Sequence, residues 1–319
     1  MKILVGYTGF VGSNLARSDN FDYVYNSKNV QEAYGSKPDL LIYAGVTGTK
    51  YLANFKPAED QSIINAAITN IKNISPDKLV LISTVDVNSS LQDSDEDSLI
   101  KETDLHPYGK HRLQLERWVI ENIKDYHIIR LPAIYGKNLK KNFIYDMMHR
   151  TPSILSHELY DLLKNDVGIY YDYLNENFMK LRTLNLKEAQ ELERYFYRNN
   201  INSLQFTDSR SRYQYYNLKN LSPDIKTIID HNIKLINLVT EPISASDLYH
   251  YLYNKKFYNI TKNNYVDYGL KTKYAEFFEG EKGFIKNKKE VLYDIKEYIS
   301  NHYSGLNTNG FIQGDANGT

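Results

Sequence analysis

The sequence contains no cysteine among its 319 residues. This excludes a disulfide framework, a thiol nucleophile and any metal site with cysteine ligands. The net charge of the chain is zero, because 39 lysine and arginine residues balance 39 aspartate and glutamate residues. A neutral chain argues against a general nucleic-acid-binding or membrane-surface protein. No apolar run approaches the roughly 20 residues of a membrane span, and we expect a cytoplasmic protein without a signal peptide.

What is present is clearest at the start of the chain. The apolar run Met1–Val5 ends in a turn with three glycines at intervals of three residues, and a helical pattern follows over Val11–Arg17. A strand, a glycine turn and a helix N-terminus form a site for a dinucleotide pyrophosphate, because unpaired N–H groups face the anion. Glycine is needed where the backbone turns sharply and approaches the phosphate. The predicted cofactor-binding residues here are Gly6, Gly9, Phe10, Val11 and Gly12.

The end of the second predicted strand, Phe21–Tyr25, indicates which dinucleotide is bound. It is followed by Asn26, Ser27 and Lys28. A site for NAD usually has an Asp or Glu near this point, which holds the ribose 2′-hydroxyl. No acidic residue stands there, and Lys28 is able to face a 2′-phosphate, although a solvated turn lysine is the alternative. The sequence therefore favours NADP(H) over NAD(H).

Strands and helices alternate over the first part of the chain. Short apolar runs are typical of buried parallel strands, and apolar residues at helical spacing are typical of the packed helices between them. This alternation predicts an α/β fold with a Rossmann-type, doubly wound parallel sheet. Ala44 and Gly45 end one strand and leave room for a cofactor at the edge of the sheet. The predicted elements are Leu40–Tyr43, Ala58–Asn73, Leu79–Ile82, Leu113–Ile123 and His127–Leu131.

The later part of the chain has a different pattern. Residues 152–200 are predicted to be largely helical, and one further strand, Leu235–Val239, is predicted to return to the sheet. We therefore expect a dinucleotide-binding domain over residues 1–140 and a smaller, mostly helical substrate-binding region over residues 141–304. The last residues, 305–319, are rich in Gly, Asn and Thr and are predicted to be disordered.

Tyr108 is the candidate acid or base for a hydride-transfer reaction. Such a reaction on an alcohol needs a bound nicotinamide, an acid or base for the alcohol proton, and a cation that brings the pKa of that group toward neutrality. A phenol has an unperturbed pKa of about 10, so positive charge is required beside it. Arg112 shares a helix face with Tyr108, because residues four apart are neighbours. Thr84 ends a strand and can hydrogen-bond the substrate oxygen.

Together these segments resemble the extended short-chain dehydrogenase/reductase family of nucleotide-sugar epimerases, dehydratases and reductases. With Ala44-Gly45 and Ala53-Asn54-x-x-Pro57, the first half is most similar to the GDP-fucose synthase and dTDP-4-dehydrorhamnose reductase branch. The resemblance is thin in the C-terminal part. The segments that match the family are Gly6-x-x-Gly9-x-x-Gly12, Ser83-Thr84-x-x-Val87, Tyr108-Gly109-Lys110 and Arg130-Leu131-Pro132-x-x-Tyr135-Gly136.

The resemblance implies catalytic roles for four residues. Tyr108 takes the position of the catalytic tyrosine, and Thr84 takes the family's Ser/Thr position. Arg112 stands where the family has a lysine, which keeps the positive charge. Asp86 falls where epimerases and dehydratases place an additional acid or base. Val85 stands where 4,6-dehydratases carry an acid, so a 4,6-dehydratase is disfavoured.

Binding roles follow for three further residues. The resemblance places Pro132 near the nicotinamide and Asn142 at the diphosphate of the nucleotide sugar. Arg212 is a candidate to clamp the diphosphate, because arginine binds it through two parallel hydrogen bonds; a surface arginine is the alternative. No residue set has metal-ligand spacing, so no metal is expected. In the family the helix after Tyr108 often forms a dimer interface, which predicts a homodimer.

The predicted function is that of an NAD(P)-dependent nucleotide-sugar oxidoreductase or epimerase/reductase. We expect it to act at C4 of the sugar and to serve bacterial surface polysaccharide synthesis. The alternative is a degenerate family member that binds a dinucleotide or a nucleotide sugar as a sensor or scaffold, without turnover. Arg112 keeps this alternative open, because arginine and lysine are not interchangeable where the geometry is tight.

Overall fold

A computed structural model of the chain shows two compact units. The predicted tail, 305–319, lies outside the described residues. The first unit continues beyond the boundary predicted at residue 140, because later segments return to it. It comprises residues 1–139, 212–243 and those from Asp267 onward, and the second unit comprises 140–211 and 244–266. The residues that the structure describes are 1–149, 151–199, 201, 203–262 and 265–304.

Strands and helices alternate along the N-terminal part of the chain, as the sequence pattern predicts. The helices are α1 (Phe10–Ser18), α2 (Lys50–Phe55), α3 (Pro57–Ile74), α4 (Pro107–Asn122), α5 (Phe143–Met148), α6 (His157–Val167), α7 (Leu186–Arg198), α8 (Leu221–Asp230), α9 (Ala245–Tyr253) and α10 (Lys288–Ser304). The strands are β1 (Lys2–Val5), β2 (Tyr23–Tyr25), β3 (Leu40–Tyr43), β4 (Leu79–Thr84), β5 (Tyr126–Leu131), β6 (Ala133–Tyr135), β7 (Ile154–Ser156), β8 (Tyr171–Asn175), β9 (Phe178–Leu181), β10 (Arg212–Tyr213), β11 (Tyr215–Asn217), β12 (Leu235–Asn237) and β13 (Ile243–Ser244).

The central sheet of the first unit has six strands in the order β12–β5–β4–β3–β1–β2. Every neighbouring pair is parallel. The predicted doubly wound parallel sheet is therefore confirmed. The further strand predicted over Leu235–Val239 is β12, and it lies at one edge of this sheet. The strand order changes direction between β1 and β3. In sheets of this kind the ligand crevice lies at such a switch point, beyond the carboxyl ends of the two strands.

Two hydrophobic cores hold helices on the two faces of this sheet. Ile3 of β1 belongs to the core that includes α3 and α4, whereas Leu4 belongs to the core that includes α1 and α8. Consecutive side chains of a strand point to opposite faces, so a strand covered on both sides must be apolar throughout. This is why the sheet strands are continuous apolar runs in the sequence.

The second unit contains an antiparallel sheet in the order β7–β9–β8. The prediction that residues 152–200 are largely helical is therefore wrong in part, although α6 and α7 lie within them. Tyr171 and Met179 are buried in a core with helix residues, whereas Asp172 and Lys180 point outward. The strands are three to five residues long. An alternation of apolar and polar residues over so few positions is too short to be distinguished from the helical charge pattern around it.

Helix α4 begins at Pro107, well before the predicted start at Leu113. Proline is favoured in the first turn of a helix, where its missing N–H would have no partner inside the helix. The earlier start places Tyr108 in the first turn. In the part of the chain that the structure describes, no helix combines the length and the apolarity needed to cross a bilayer.

Candidate active site

The glycine turn after β1 is closely packed. Gly6 has a φ of +96°, and a Cβ at this position would lie 2.4 Å from the carbonyl oxygen of Ala44. A Cβ on Gly12 would lie 2.1 Å from the carbonyl oxygen of Gly6. Helix α1 begins at Phe10, after Gly9, which has no side chain to cap the first N–H groups. The turn and the helix N-terminus therefore form a cradle for an anion.

Replacing Gly12 by alanine is expected to weaken NADPH binding by roughly tenfold or more, because the added methyl group must push α1 away from the turn. Isothermal titration with NADPH measures the change. Gly168→Ala is the matched control, since its backbone is helical (φ −56°) and its closest neighbour is the flexible side chain of Tyr160. Equal NADPH affinity in both variants would contradict the assignment of the turn.

The turn after β2 carries the residues predicted to face the ribose. The side-chain oxygen of Asn26 accepts a hydrogen bond from the backbone N–H of Lys28 at 2.8 Å. Its backbone N–H donates to the Asn29 side chain at 2.9 Å. Ser27 and Lys28 are exposed at this edge of the sheet. Across β1, Ala44 follows β3, and its N–H donates to the carbonyl of Val5, the last residue of β1, at 2.8 Å.

Thr84 and Tyr108 come together at the carboxyl end of β4. Both residues are 9% exposed, and the Thr84 side chain lowers the pKa of the neighbouring Tyr108 phenol. Gly109 permits this approach, because a Cβ there would lie 2.2 Å from the carbonyl oxygen of Asp86. The Thr84 hydroxyl also accepts from the N–H of Asp86 at 3.2 Å. The first turn of α4 is therefore packed directly against the end of β4, which places the two predicted residues side by side.

Burial raises the pKa of Tyr108 above its ordinary value. Arg112 lowers this pKa, as expected, whereas the carboxylate of Asp86 raises it together with burial. Burial has the largest effect, so the pKa of Tyr108 in the protein alone stays above its ordinary value. Tyr108 is a neutral phenol at pH 7, which suits it to donate a proton.

Arg112 is held by Asp60, a residue that we did not identify from the sequence. The Asp60 carboxylate is fully buried and accepts from the Arg112 guanidinium at 2.5 and 2.8 Å. A second donor, the imidazole of His111, lies 2.7 Å from the same carboxylate. The guanidinium also donates to the carbonyl of Thr47 at 2.7 Å and lies 3.9 Å from the centre of the Tyr108 ring. The positive charge beside Tyr108 is thus paired with a negative one.

Asp86 accepts two hydrogen bonds from residues far away in the sequence. Its Oδ1 lies 2.9 Å from Lys50 Nζ and 2.9 Å from the hydroxyl of Tyr268, and these two donors are 3.5 Å apart. We name Lys50, Asp86 and Tyr268 the Asp86 cluster. Burial and the Asp86 charge raise the pKa of Tyr268. No motif in the sequence marks Lys50 or Tyr268, because they meet Asp86 only in the folded chain.

The other predicted binding residues have the following positions. Pro132 lies half-buried between β5 and β6, at the carboxyl edge of the sheet. Arg212 forms a bidentate ion pair with Asp267 at 2.5 and 2.9 Å, and its carbonyl accepts from the N–H of Tyr268. Arg212 is therefore next to the Asp86 cluster. Asn142 belongs to the second unit, where its side chain caps α5.

Within the described ranges, no three His, Asp or Glu side chains lie together as potential metal ligands.

Solved structures with this architecture include nucleotide-sugar enzymes, although no family model and no curated protein matches the sequence. A dTDP-4-dehydrorhamnose reductase from Clostridium acetobutylicum is 16% identical, with a TM-score of 0.59 over 95% of this chain and 100% of that one. A UDP-N-acetylglucosamine 4-epimerase from Methanobrevibacter ruminantium, in complex with UDP-N-acetylmuramic acid, is 10% identical, with a TM-score of 0.61 over 95% and 98%. A dTDP-4-dehydrorhamnose reductase from Bacillus anthracis, in complex with NADP, is 14% identical, with a TM-score of 0.52 over 84% and 89%. The chain has the fold of these enzymes.

Proposed function

We propose that the protein is a member of the extended short-chain dehydrogenase/reductase family, and that it is an NAD(P)-dependent nucleotide-sugar oxidoreductase or epimerase/reductase. The observation that carries this proposal is the buried Thr84–Tyr108 pair at the edge of the sheet where the glycine turn also opens. The turn fits a dinucleotide, since a Cβ on Gly6 or Gly12 would clash with the backbone of the tight turn that leads into the N-terminus of α1. A bound nicotinamide supplies or accepts the hydride.

NADP(H) is the cofactor that we propose. The turn after β2 exposes Lys28 and has no acidic residue in Asn26-Ser27-Lys28 to hold a ribose 2′-hydroxyl. The similar reductase from Bacillus anthracis was solved with NADP, which supports the same preference. Ala44, Gly45 and Pro132, at the ends of their strands, are proposed to line the rest of the cofactor site.

In the proposed reaction Tyr108 donates the proton and Thr84 hydrogen-bonds the oxygen that receives it. The raised pKa of Tyr108 keeps its phenol protonated, which favours reduction of a carbonyl over oxidation of an alcohol. Arg112 is proposed to orient the phenol by stacking on its ring, in place of the family's lysine. Asp86 is proposed as an acid or base at a neighbouring carbon, which adds an epimerisation to the reduction.

The substrate is proposed to be a nucleotide sugar, which reacts at C4. The solved structures of similar fold include a reductase named for a dTDP-sugar and an epimerase that holds a UDP-sugar, and they support this class. Arg212 is proposed to bind its diphosphate. A role in bacterial surface polysaccharide synthesis, a homodimer and a cytoplasmic location are further parts of the proposal.

A second candidate function is binding of a dinucleotide or nucleotide sugar without turnover. The observation that favours it is the position of Arg112. Its guanidinium is committed to Asp60 and to the carbonyl of Thr47, so it does not offer the single, freely placed ammonium of a lysine. A sensor or scaffold would need the cradle but not the proton donor.

The test is NADPH oxidation with a panel of dTDP-, UDP- and GDP-linked 4-keto sugars that begins with dTDP-4-dehydrorhamnose. We expect at least one of them to be reduced, with a lower KM for NADPH than for NADH. Thermal unfolding is followed with the same ligands, because a ligand that binds only the native state raises Tm. A rise in Tm without turnover would favour the second candidate, and neither effect would contradict both.

A further inference from the structure

The Asp86 cluster lies against the catalytic residues but takes no part in the hydride transfer. We infer that it is a binding subsite for a hydroxyl group on the sugar ring, near the carbon that reacts. In this subsite Lys50 and Tyr268 contact the substrate. Asp86, besides its proposed role as an acid or base, positions both of them through its Oδ1. The inference rests on the proposed function, since it requires a sugar at this edge of the sheet.

The cluster is joined to the catalytic pair through the main chain of Asp86. The Asp86 N–H donates to Thr84 Oγ1 at 3.2 Å, and its carbonyl oxygen packs against Gly109, next to Tyr108. The Asp86 charge raises the pKa of Tyr108 as well as that of Tyr268, and Tyr108 also raises the pKa of Tyr268. A sugar oriented toward Tyr108 therefore has the cluster beside it.

The hydrogen-bonding capacity of the cluster matches a hydroxyl group. Tyr268 uses its O–H to donate to Asp86, so its oxygen is left to accept. Lys50 has three N–H donors and directs them at Asp86 and, at 3.5 Å, at Tyr268. At least one donor therefore remains for a ligand. A hydroxyl can accept from Lys50 and donate to Tyr268 at once, whereas a carboxylate or phosphate can only accept.

The charge and the rigidity of the cluster agree with this ligand. Lys50 and Asp86 cancel each other's charge, which favours a neutral group over an anion. The Tyr268 ring stacks on Tyr213 with 6.5 Å between centres, and the next residue, Gly269, donates its N–H to the carbonyl of Leu91 at 2.7 Å. Tyr268 is thus already ordered, whereas the Lys50 side chain is 46% exposed and reaches solvent. A sugar hydroxyl meets one fixed and one adjustable partner.

The experiment compares nucleotides with and without a sugar. Four ligands, UDP, UDP-glucose, dTDP and dTDP-glucose, are each titrated calorimetrically into the full chain saturated with NADP⁺. The affinity for each nucleotide sugar is then compared with that for its nucleotide. We expect Lys50→Met and Tyr268→Phe each to weaken binding of the nucleotide sugar by about 3- to 10-fold, the loss of one hydrogen bond. Asp86→Ala should do the same, because it removes the oxygen that accepts from both donors. The affinities for UDP and dTDP should not change. If these residues had a merely structural role, the affinities for the nucleotides would fall as well.

Two control variants remove similar groups elsewhere in the first unit. Lys56→Met removes an exposed lysine that pairs with Glu59 at 2.8 Å, and Tyr34→Phe removes a phenol that donates to Asn70 at 2.7 Å. Losses in the Lys50 and Tyr268 variants no greater than in these controls would overturn the inference. So would an equal loss of affinity for the nucleotide and the nucleotide sugar. In both cases binding by the unaltered protein leaves the proposed function standing. An unaltered protein that binds none of the four ligands overturns the inference and excludes UDP- and dTDP-sugars as substrates, and the proposed function then depends on the GDP-linked sugars of the panel.

Discussion

Replacing Tyr108 by phenylalanine is expected to lower kcat by about 10²- to 10⁴-fold, the usual contribution of a positioned acid or base. The ring is retained, so its contact with Arg112 and its packing at the end of β4 should remain. Affinities for NADPH and for the nucleotide sugar should therefore stay close to those of the unaltered protein. Steady-state kinetics and calorimetric titration together separate the two effects.

The pH dependence of the reduction is a second test of the role of Tyr108 as the proton donor. Burial raises the pKa of Tyr108, so its proton is held from neutral pH up to the ordinary phenol pKa of about 10 and beyond. For this group, kcat for reduction is expected to be flat between pH 7 and 9 and to fall only at higher pH. Tyr34→Phe is the control for loss of a phenol elsewhere. Full turnover in Tyr108→Phe would refute the assigned role.

Replacing Asp60 by alanine is expected to lower the free energy of unfolding by about 3–5 kcal/mol, because it leaves the buried Arg112 charge without its partner. Asp60 is fully buried and Arg112 is 4% exposed, so water cannot replace the lost carboxylate without local opening. Urea unfolding measures the change. The double variant Asp60→Ala/Arg112→Met should recover much of the loss, because it removes both charges.

Glu59 provides a matched control in the same helix. Its carboxylate pairs with Lys56, and both side chains are more than half exposed. Glu59→Ala is therefore expected to change the free energy of unfolding by about 1 kcal/mol or less. If Asp60→Ala lowers the free energy of unfolding no more than Glu59→Ala does, the buried Asp60–Arg112 pair does not stabilise the fold as proposed.

The variant Arg112→Lys separates turnover from binding alone. A lysine cannot form the two parallel hydrogen bonds to Asp60 or stack on the Tyr108 ring as a planar group. If arginine is the adapted residue, the activity of Arg112→Lys stays the same or falls. A large gain in activity would mean instead that the site had lost its chemistry when the lysine was replaced. This outcome would favour the sensor or scaffold.

The parallel sheet and the glycine turn could be predicted from the residues alone, and the pairing of Tyr108 with Thr84 from the resemblance to a known family. The first two features are local, because a strand buried on both faces is apolar throughout and the Gly6 turn tolerates no Cβ. The sequence also indicated Arg112 as the charged partner that lowers the pKa of Tyr108, but not that burial would outweigh this effect. Its prediction of a mostly helical segment over residues 152–200 was wrong in part, since strands β7, β8 and β9 are too short for a clear alternation.

Only the tertiary structure decided the electrostatics of the site. Asp60 pairs with Arg112 across two helices, and Lys50 and Tyr268 meet Asp86 from segments that are far apart in the chain. No spacing rule relates such residues. The direction of the pKa shift of Tyr108 also depends on how deeply it is buried and on which charges surround it. Both are properties of the packed chain, which is why the raised pKa of Tyr108 could not be predicted from its motif.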